Sequence, residues 1–397
     1  MASKIAKMGN TIENRGKPTI LLAGPLPPPA GGISTIVSEL LQSELQNDFQ
    51  IIHFRNSSKR PRSKKGMKDP LINIFLIYPQ LLSFFLALIR HNPDIIQIES
   101  SIGGSFLKNS LFVLIAKFFS RVVIFTMHAE HINFERFYSG SPVFMKKYIK
   151  FILNSCDAIK LIYEGWIHTL VDTIGVSRRK IFIVPNFINL NNFFEEVYEN
   201  KKGKPIILYV GNIGQRKGVF DFILCAEALK NKGYDFSAIC VGPQFRKGDL
   251  KKAIDMIAEK KMSDYIIMAN EISRSETIRY YKMADIFVLP SYSECFPLSI
   301  LEAMAAGLPI ISTPVGAIRE IVEENTNGFL IKPGAVEKFV EKIEILLNDK
   351  RLRKFMGINN KSKIKSNYSL NKIAQKYTNL YNLLLAQSFK RRSLIGN

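Results

Sequence analysis

One eight-residue pattern occurs twice in this chain, and it limits the folds open to it. Lys17-Pro18-Thr19-Ile20-Leu21-Leu22-Ala23-Gly24 is a short apolar run closed by glycine, and Lys204-Pro205-Ile206-Ile207-Leu208-Tyr209-Val210-Gly211 repeats it near the middle. Each is followed by a glycine-containing loop and a helix-like stretch, Ser34 to Leu45 in the first case and Val219 to Lys230 in the second. A buried strand, a glycine loop and a helix at the head of each half predict two doubly wound α/β domains. Further strands are expected at Ile51 to Phe54, Asp94 to Ile98, Val122 to Thr126, Ala158 to Ile162 and Ile181 to Val184. In the second half they are expected at Phe236 to Val241, Tyr265 to Met268, Ile286 to Leu289 and Ile310 to Ser312. All are short, β-branched and separated by helix-length segments, the pattern of parallel sheets. The charged segment Glu195 to Lys204 reads as a linker. The expected division is residues 1–198, residues 199–370, and a basic C-terminal helix or tail at 371–397. In that tail Leu370, Ile373, Tyr377, Leu380 and Leu384 recur at helical spacing, so one face packs and the other stays positive.

A length of 397 residues fits two or three domains, and 47% hydrophobic residues exclude a disordered or collagen-like chain and a small disulfide scaffold. Four scattered cysteines without a CxxC pair argue against zinc and for reduced thiols in a cytosolic setting. The net charge is +21, and it sits in the first half and the tail: residues 350–397 carry twelve Lys and Arg and no acid. Such a field attracts nucleic acid, anionic membrane or phosphorylated ligands. The basic run Ser57 to Lys68 has no interleaved aromatics, which weighs against nucleic acid. Lys4 and Lys7 are not followed by an apolar segment, so no secretory signal is expected. Leu71 to Arg90 is apolar enough to raise a membrane span. Asn73, Tyr78, Pro79, Gln80 and Ser83 interrupt it, and the expectation is a core helix, with a membrane-surface segment as the alternative. Ser110 to Phe119 is a second, shorter core-helix candidate.

Four stretches carry chemistry. The strongest is Pro290-Ser291-Tyr292-Ser293-Glu294-Cys295-Phe296-Pro297-Leu298-Ser299-Ile300-Leu301-Glu302-Ala303-Met304-Ala305-Ala306-Gly307. A strand ends at Pro290, a polar loop follows, Pro297 suits a first helical turn, and Gly307 stops the helix. Glu294 precedes the helix and Glu302 is expected two turns inside it, so both can face one site. Free amides at the helix start suit a phosphate, and carboxylates accept from sugar hydroxyls. The second stretch is Gly211-Asn212-Ile213-Gly214-Gln215-Arg216-Lys217-Gly218, where Lys217 and Arg216 offer cations to a phosphate. The third, Gly24 to Thr35, contains Gly31 and Gly32, which let backbone approach a ligand closely. Neither glycine loop is GxGxxG, which disfavours a nicotinamide enzyme. The fourth is Thr126-Met127-His128-Ala129-Glu130-His131 at a strand end, with His128 the better candidate and His131 the second. Pro185-Asn186-Phe187-Ile188-Asn189 reads as a structural turn.

The stretch from Pro290 to Gly307 resembles the signature of retaining glycosyltransferases of family four, in which two glutamates stand eight positions apart. Cys295 occupies the place of a usual glycine, and Ala306 to Thr313 and Asn327 to Leu330 continue the likeness. The resemblance runs from the first glycine loop to Pro333. It implies the α/β fold called GT-B, two facing Rossmann-like doubly wound domains with a C-terminal helix returning toward the first domain. It further implies that Glu302 binds the ribose of a UDP- or GDP-linked donor and Glu294 the donor sugar. Backbone at Phe296 and Leu298 would meet sugar or phosphate, and Lys217 would hold the diphosphate. Asn212 stands where the family often has arginine, with Arg216 a nearby cation. Gly31 and Gly32 would line the cleft, and His128 would lie near the donor sugar. The implied activity is a retaining hexosyltransferase that needs no bound metal and no cofactor beyond its nucleotide-sugar substrate. Together with the charge, this points to a lipid-linked glycan acceptor in bacterial surface polysaccharide assembly, and to a cytoplasmic enzyme peripheral on an anionic inner membrane face, with no nucleic-acid partner. A GT-B sugar-nucleotide epimerase and a non-catalytic sugar-nucleotide or membrane-binding module remain the alternatives.

Overall fold

The structure, a computed structural model, describes residues 16–28, 31–56, 70–194 and 203–395. The basic cluster Lys59 to Lys68, the N-terminal lysines and most of the expected linker lie outside the described residues. Two compact units emerge: residues 1–185 with 373–397, and residues 186–372. The division falls ahead of the expected boundary at 198/199. The reason is local: Ile188 N–H donates to Tyr368 O at 2.8 Å and Leu370 N–H to Ile188 O at 3.0 Å, which ties this segment into the second unit. The expected C-terminal helix runs Leu370–Ile395 and is largely part of the first unit.

The first unit holds six parallel strands: β1 (Thr19–Gly24), β2 (Gln50–Arg55), β3 (Ile95–Ser100), β4 (Val122–Met127), β5 (Ala158–Leu161) and β6 (Ile181–Ile183), in spatial order 2-1-3-4-5-6. The second holds β7 (Ile206–Val210), β8 (Ser237–Val241), β9 (Ile266–Asn270), β10 (Ile286–Leu289), β11 (Ile310–Ser312) and β12 (Gly328–Leu330), in order 12-11-10-7-8-9, again all parallel. Continuous apolar runs such as Val122–Met127 are buried along their whole length, as strands covered by helices on both faces must be. In each sheet the strand order reverses direction at one point, between β1 and β3 and between β7 and β10. Ligands of open α/β sheets bind outside the carboxyl ends of the strands at such points.

Three expectations shift. The helix expected over Ser34 to Leu45 is Gly32–Leu40, because Ser43 Oγ captures the Leu40 carbonyl at 2.7 Å and a turn follows. Strand β12 was not anticipated as a strand. The apolar stretch after residue 70 forms one helix, Pro70–His91, that runs through Pro79 and is only partly core. Phe84 and Leu88 are buried, while Tyr78, Leu82, Phe85, Leu86 and Ile89 are exposed.

Candidate functional site

In the second unit the sequence builds a charged pair at the switch point. Chain leaving β7 turns through Gln215–Lys217, and Gly218 follows at φ 75°. A Cβ at Gly218 would lie 2.0 Å from Pro290 O, so only glycine lets this loop rest on the loop after β10. Tyr292 N–H seals the contact by donating to Arg216 O at 2.9 Å. Lys217 Nζ thereby reaches Glu294 Oε1 at 2.5 Å, and Ser291 Oγ donates to the same oxygen at 2.8 Å. The Glu294 side chain is 4% exposed, and that of Lys217 15%. From behind, Gly316, at φ 54°, packs so closely that a Cβ there would meet Glu294 O at 2.1 Å.

The remaining expected residues of this unit lie around that pair. Pro297 caps the helix Leu298–Ala306, and Gly307 ends it in the left-handed region at φ 85°, as the sequence implied. With the helix beginning at Leu298, Glu302 lies little more than one turn inside it, not two. Its carboxylate accepts from Tyr281 Oη at 3.1 Å and faces Arg274 Nη2 at 3.8 Å. Glu294 and Glu302 thus have separate partner sets. Arg216 lays its guanidinium 4.9 Å from the Phe245 ring centre. Asn212 gives its carbonyl to Tyr209 Oη at 3.0 Å. Phe296 is buried edge-on against Tyr368 at 5.9 Å, and Leu298 is half-buried as the first helical residue. Ser291, Arg274 and Tyr281 escaped the sequence reading. Ser291 at least stood inside the quoted motif, whereas Arg274 and Tyr281 lie on a separate helix, Arg274–Met283, that no spacing connects to Glu302.

In the first unit Gly31 and Gly32 are exposed at the start of the helix Gly32–Leu40, where Gly31 O accepts Thr35 N–H and Ser34 Oγ, each at 2.9 Å. His128 follows β4. Its backbone N–H donates to Ser100 O at 2.8 Å, and its Nε2 bonds to Glu99 Oε2. Ordinary reading passed over Glu99, although a carboxylate inside the run Ile95-Ile96-Gln97-Ile98-Glu99 was visible. His131 is held differently: Tyr163 Oη lies 2.8 Å from its Nδ1, and burial lowers its pKa against the pull of Glu130 and Glu135.

An ammonium and a carboxylate side by side can serve a phosphate oxygen and a hydroxyl respectively. Two doubly wound parallel domains, each with its polar residues at the carboxyl ends of the strands, define the GT-B fold. Solved structures carry the same architecture over nearly the whole chain. A glycosyltransferase from Rickettsia africae superposes with a TM-score of 0.73, covering 93% of this chain and 99% of that one at 21% identity. The Anabaena protein HepE in complex with UDP gives 0.69, with 92% and 99% covered at 14% identity. Residues 191–363, within the second unit, match the family model for glycosyl transferases group 1. Among relatives, the capsular polysaccharide biosynthesis glycosyltransferase CapM of Staphylococcus aureus is 28% identical over 200 residues, 50% of this chain and 51% of that protein. The N,N'-diacetylbacillosaminyl-diphospho-undecaprenol alpha-1,3-N-acetylgalactosaminyltransferase of Campylobacter jejuni is 29% identical over 231 residues, 53% of this chain and 57% of that protein. The chain therefore spans little more than half the length of these relatives.

Proposed function

We propose that this protein is a glycosyltransferase that moves a sugar from a UDP- or GDP-linked donor to a lipid-linked glycan acceptor with retention of anomeric configuration. The observation that carries the reading is the Lys217–Glu294 pair at the switch point of the sheet whose unit matches the group 1 family model. In this reading Lys217 takes the donor diphosphate and stabilises charge on the leaving nucleotide. Glu294 accepts from hydroxyls of the donor sugar, and Glu302, held by Tyr281, accepts from the ribose. The two undecaprenol and capsule relatives support an acceptor in surface polysaccharide assembly.

Calorimetric titration with UDP, GDP and NAD tests the donor site. UDP or GDP binds, NAD does not, and Glu302→Ala weakens the nucleotide about tenfold or more, the loss expected when a hydroxyl is left facing no charged acceptor. An unchanged dissociation constant would remove Glu302 from the site. Conversion of a sugar nucleotide to its isomer without any acceptor would replace transfer by epimerisation.

The membrane side of the proposal rests on the Pro70–His91 helix. Tyr78, Leu82, Phe85, Leu86 and Ile89 stand at helical spacing on one face, and Ile89 is 57% exposed. Phe85 meets Phe119 at 5.3 Å, and Phe119 meets Phe118, which is 82% exposed at the end of the helix Gly104–Phe118. Exposed apolar residues this continuous mark an interaction surface. Arg90 is exposed at its edge, and each cation near an anionic surface adds about 1 kcal/mol. Among the described residues no helix is long and apolar enough to cross a membrane. The protein is expected to sediment with phosphatidylglycerol vesicles at low salt, and Phe85→Asp/Leu86→Asp to release it. Equal recovery with phosphatidylcholine vesicles would count against an anionic surface.

A further inference from the structure

Gln97, Glu99 and Lys160 are long polar side chains buried inside strands of the first sheet, and they form one connected network. Gln97 and Glu99 stand two apart on β3 and so share a face, and Lys160 lies on β5; the three are 0%, 3% and 1% exposed. The Glu99 carboxylate accepts from Gln97 Nε2, from Thr126 Oγ1 at 3.2 Å and from His128 Nε2. Lys160 Nζ donates to Tyr377 Oη at 2.6 Å. Tyr381 Oη donates to Gln97 Oε1 at 2.7 Å. Tyr377 and Tyr381 are one turn apart on the Leu370–Ile395 helix, so that helix closes the network from one side while His128 ends it on the other.

Burial raises the Glu99 carboxyl, but the charges of Lys160 and His128 and the bonds from His128 and Gln97 outweigh it and hold it at about 2. Burial pulls the Lys160 ammonium down, with Glu99 pulling the other way. Opposite charges buried in one core are weak evidence for stability, since apolar packing of the same volume serves as well. Their use is sought in what they touch, and here that is a histidine at a strand end. An ionised carboxylate has no proton to give, so the hydrogen between the two groups belongs to His128 Nε2. Among the described residues no group pairs with His128 Nδ1.

We propose that Glu99 is the positioning residue of His128: backed by Lys160 and the C-terminal helix, its carboxylate takes the Nε2–H of the imidazole and so turns Nδ1 toward a substrate hydroxyl. Only the nature of that hydroxyl, a sugar's, rests on the glycosyltransferase reading. The Nε2–H bond to Glu99 does not.

The test uses the full chain with 15N-labelled histidine and long-range 1H–15N correlation, the His128 signals being assigned by their loss in His128→Gln. The wild type shows the Nε2–H pattern. Glu99→Gln can donate as well as accept, so it releases the tautomer, but it strands the Lys160 charge. Glu99→Gln/Lys160→Met removes both charges and keeps the variant foldable. It is expected to show an Nδ1–H population and to bind UDP or GDP within about twofold of wild type. Release of that nucleotide from its sugar nucleotides falls about tenfold, the scale of one misdirected hydrogen bond to a substrate hydroxyl. A folded double variant that keeps the Nε2–H pattern, or that loses it with nucleotide release unchanged, overturns the proposal. A wild type that binds neither nucleotide would sink the glycosyltransferase reading while leaving the tautomer result standing.

Discussion

Lys217→Met is expected to lower turnover of the nucleotide sugar by about 100- to 1,000-fold, the size of effect seen when one donor facing developing charge is removed. Methionine keeps most of the apolar stem and deletes only the ammonium. What remains is Glu294, 4% exposed in its side chain, with Ser291 Oγ still donating to it. A diphosphate approaching this position would then meet a carboxylate where it had met a balanced pair, so the local charge goes from neutral to negative. Both kcat and KM are expected to suffer, because a bound phosphate is in contact with the site before and during bond cleavage. Steady-state nucleotide release measures both. A kcat/KM within about threefold of wild type would return Lys217 to the rank of an ordinary surface lysine.

Lys160→Met is expected to destabilise the first unit by about 3–5 kcal/mol, because it takes from the buried Glu99 carboxylate the larger of the charges that hold it ionised. The single tryptophan of the chain is the reporter: Trp166 is buried in the first unit and donates to Ala129 O at 3.1 Å, next to His128. Its fluorescence during urea unfolding therefore follows the unit under test. The pH dependence has a definite sign. Glu99 in the folded protein sits at about 2, below its ordinary value of 4.5, so its ionised form contributes stability that is present above pH 4.5 and fades as pH falls toward 2. Without Lys160 that depression shrinks, and the variant loses less stability than wild type across this window. Loss of under about 1 kcal/mol at pH 7 would mean that His128 and Gln97, not Lys160, balance the carboxylate.

The sheets were legible because buried parallel strands are written as short apolar runs. Ile286–Leu289 and Ile310–Ser312 fall where those runs stand. Strand β12 was not, since Gly328-Phe329-Leu330 opens on glycine and has no β-branched residue, and it becomes a strand by pairing with β11. The charged pair of the second unit was legible as two motifs, Lys217 in one and Glu294 in the other. That they touch depends on Gly218 fitting under Pro290, which is a matter of backbone approach. Glu99 and Lys160 were hidden for the opposite reason. Each sits in a largely apolar strand, where a lone charge reads as noise, and the bond from Lys160 to Tyr377 spans more than two hundred residues. The exposure of Leu86 and Ile89 was equally silent, because an apolar helix does not announce which of its faces a neighbour will cover.

The first unit is discontinuous, and that bears on the order in which the molecule can be finished. Residues 186–372 form an uninterrupted unit, so its sheet can close as soon as that stretch has been synthesised. The earlier sheet begins sooner but waits longer. Until residues 377 and 381 emerge, Lys160 and Gln97 lack the hydroxyls that cover them, and the edge-on contact of Phe49 with Tyr381 is absent. The half of the protein made first is therefore the half completed last, and His128 acquires its full support only when the C-terminal helix docks.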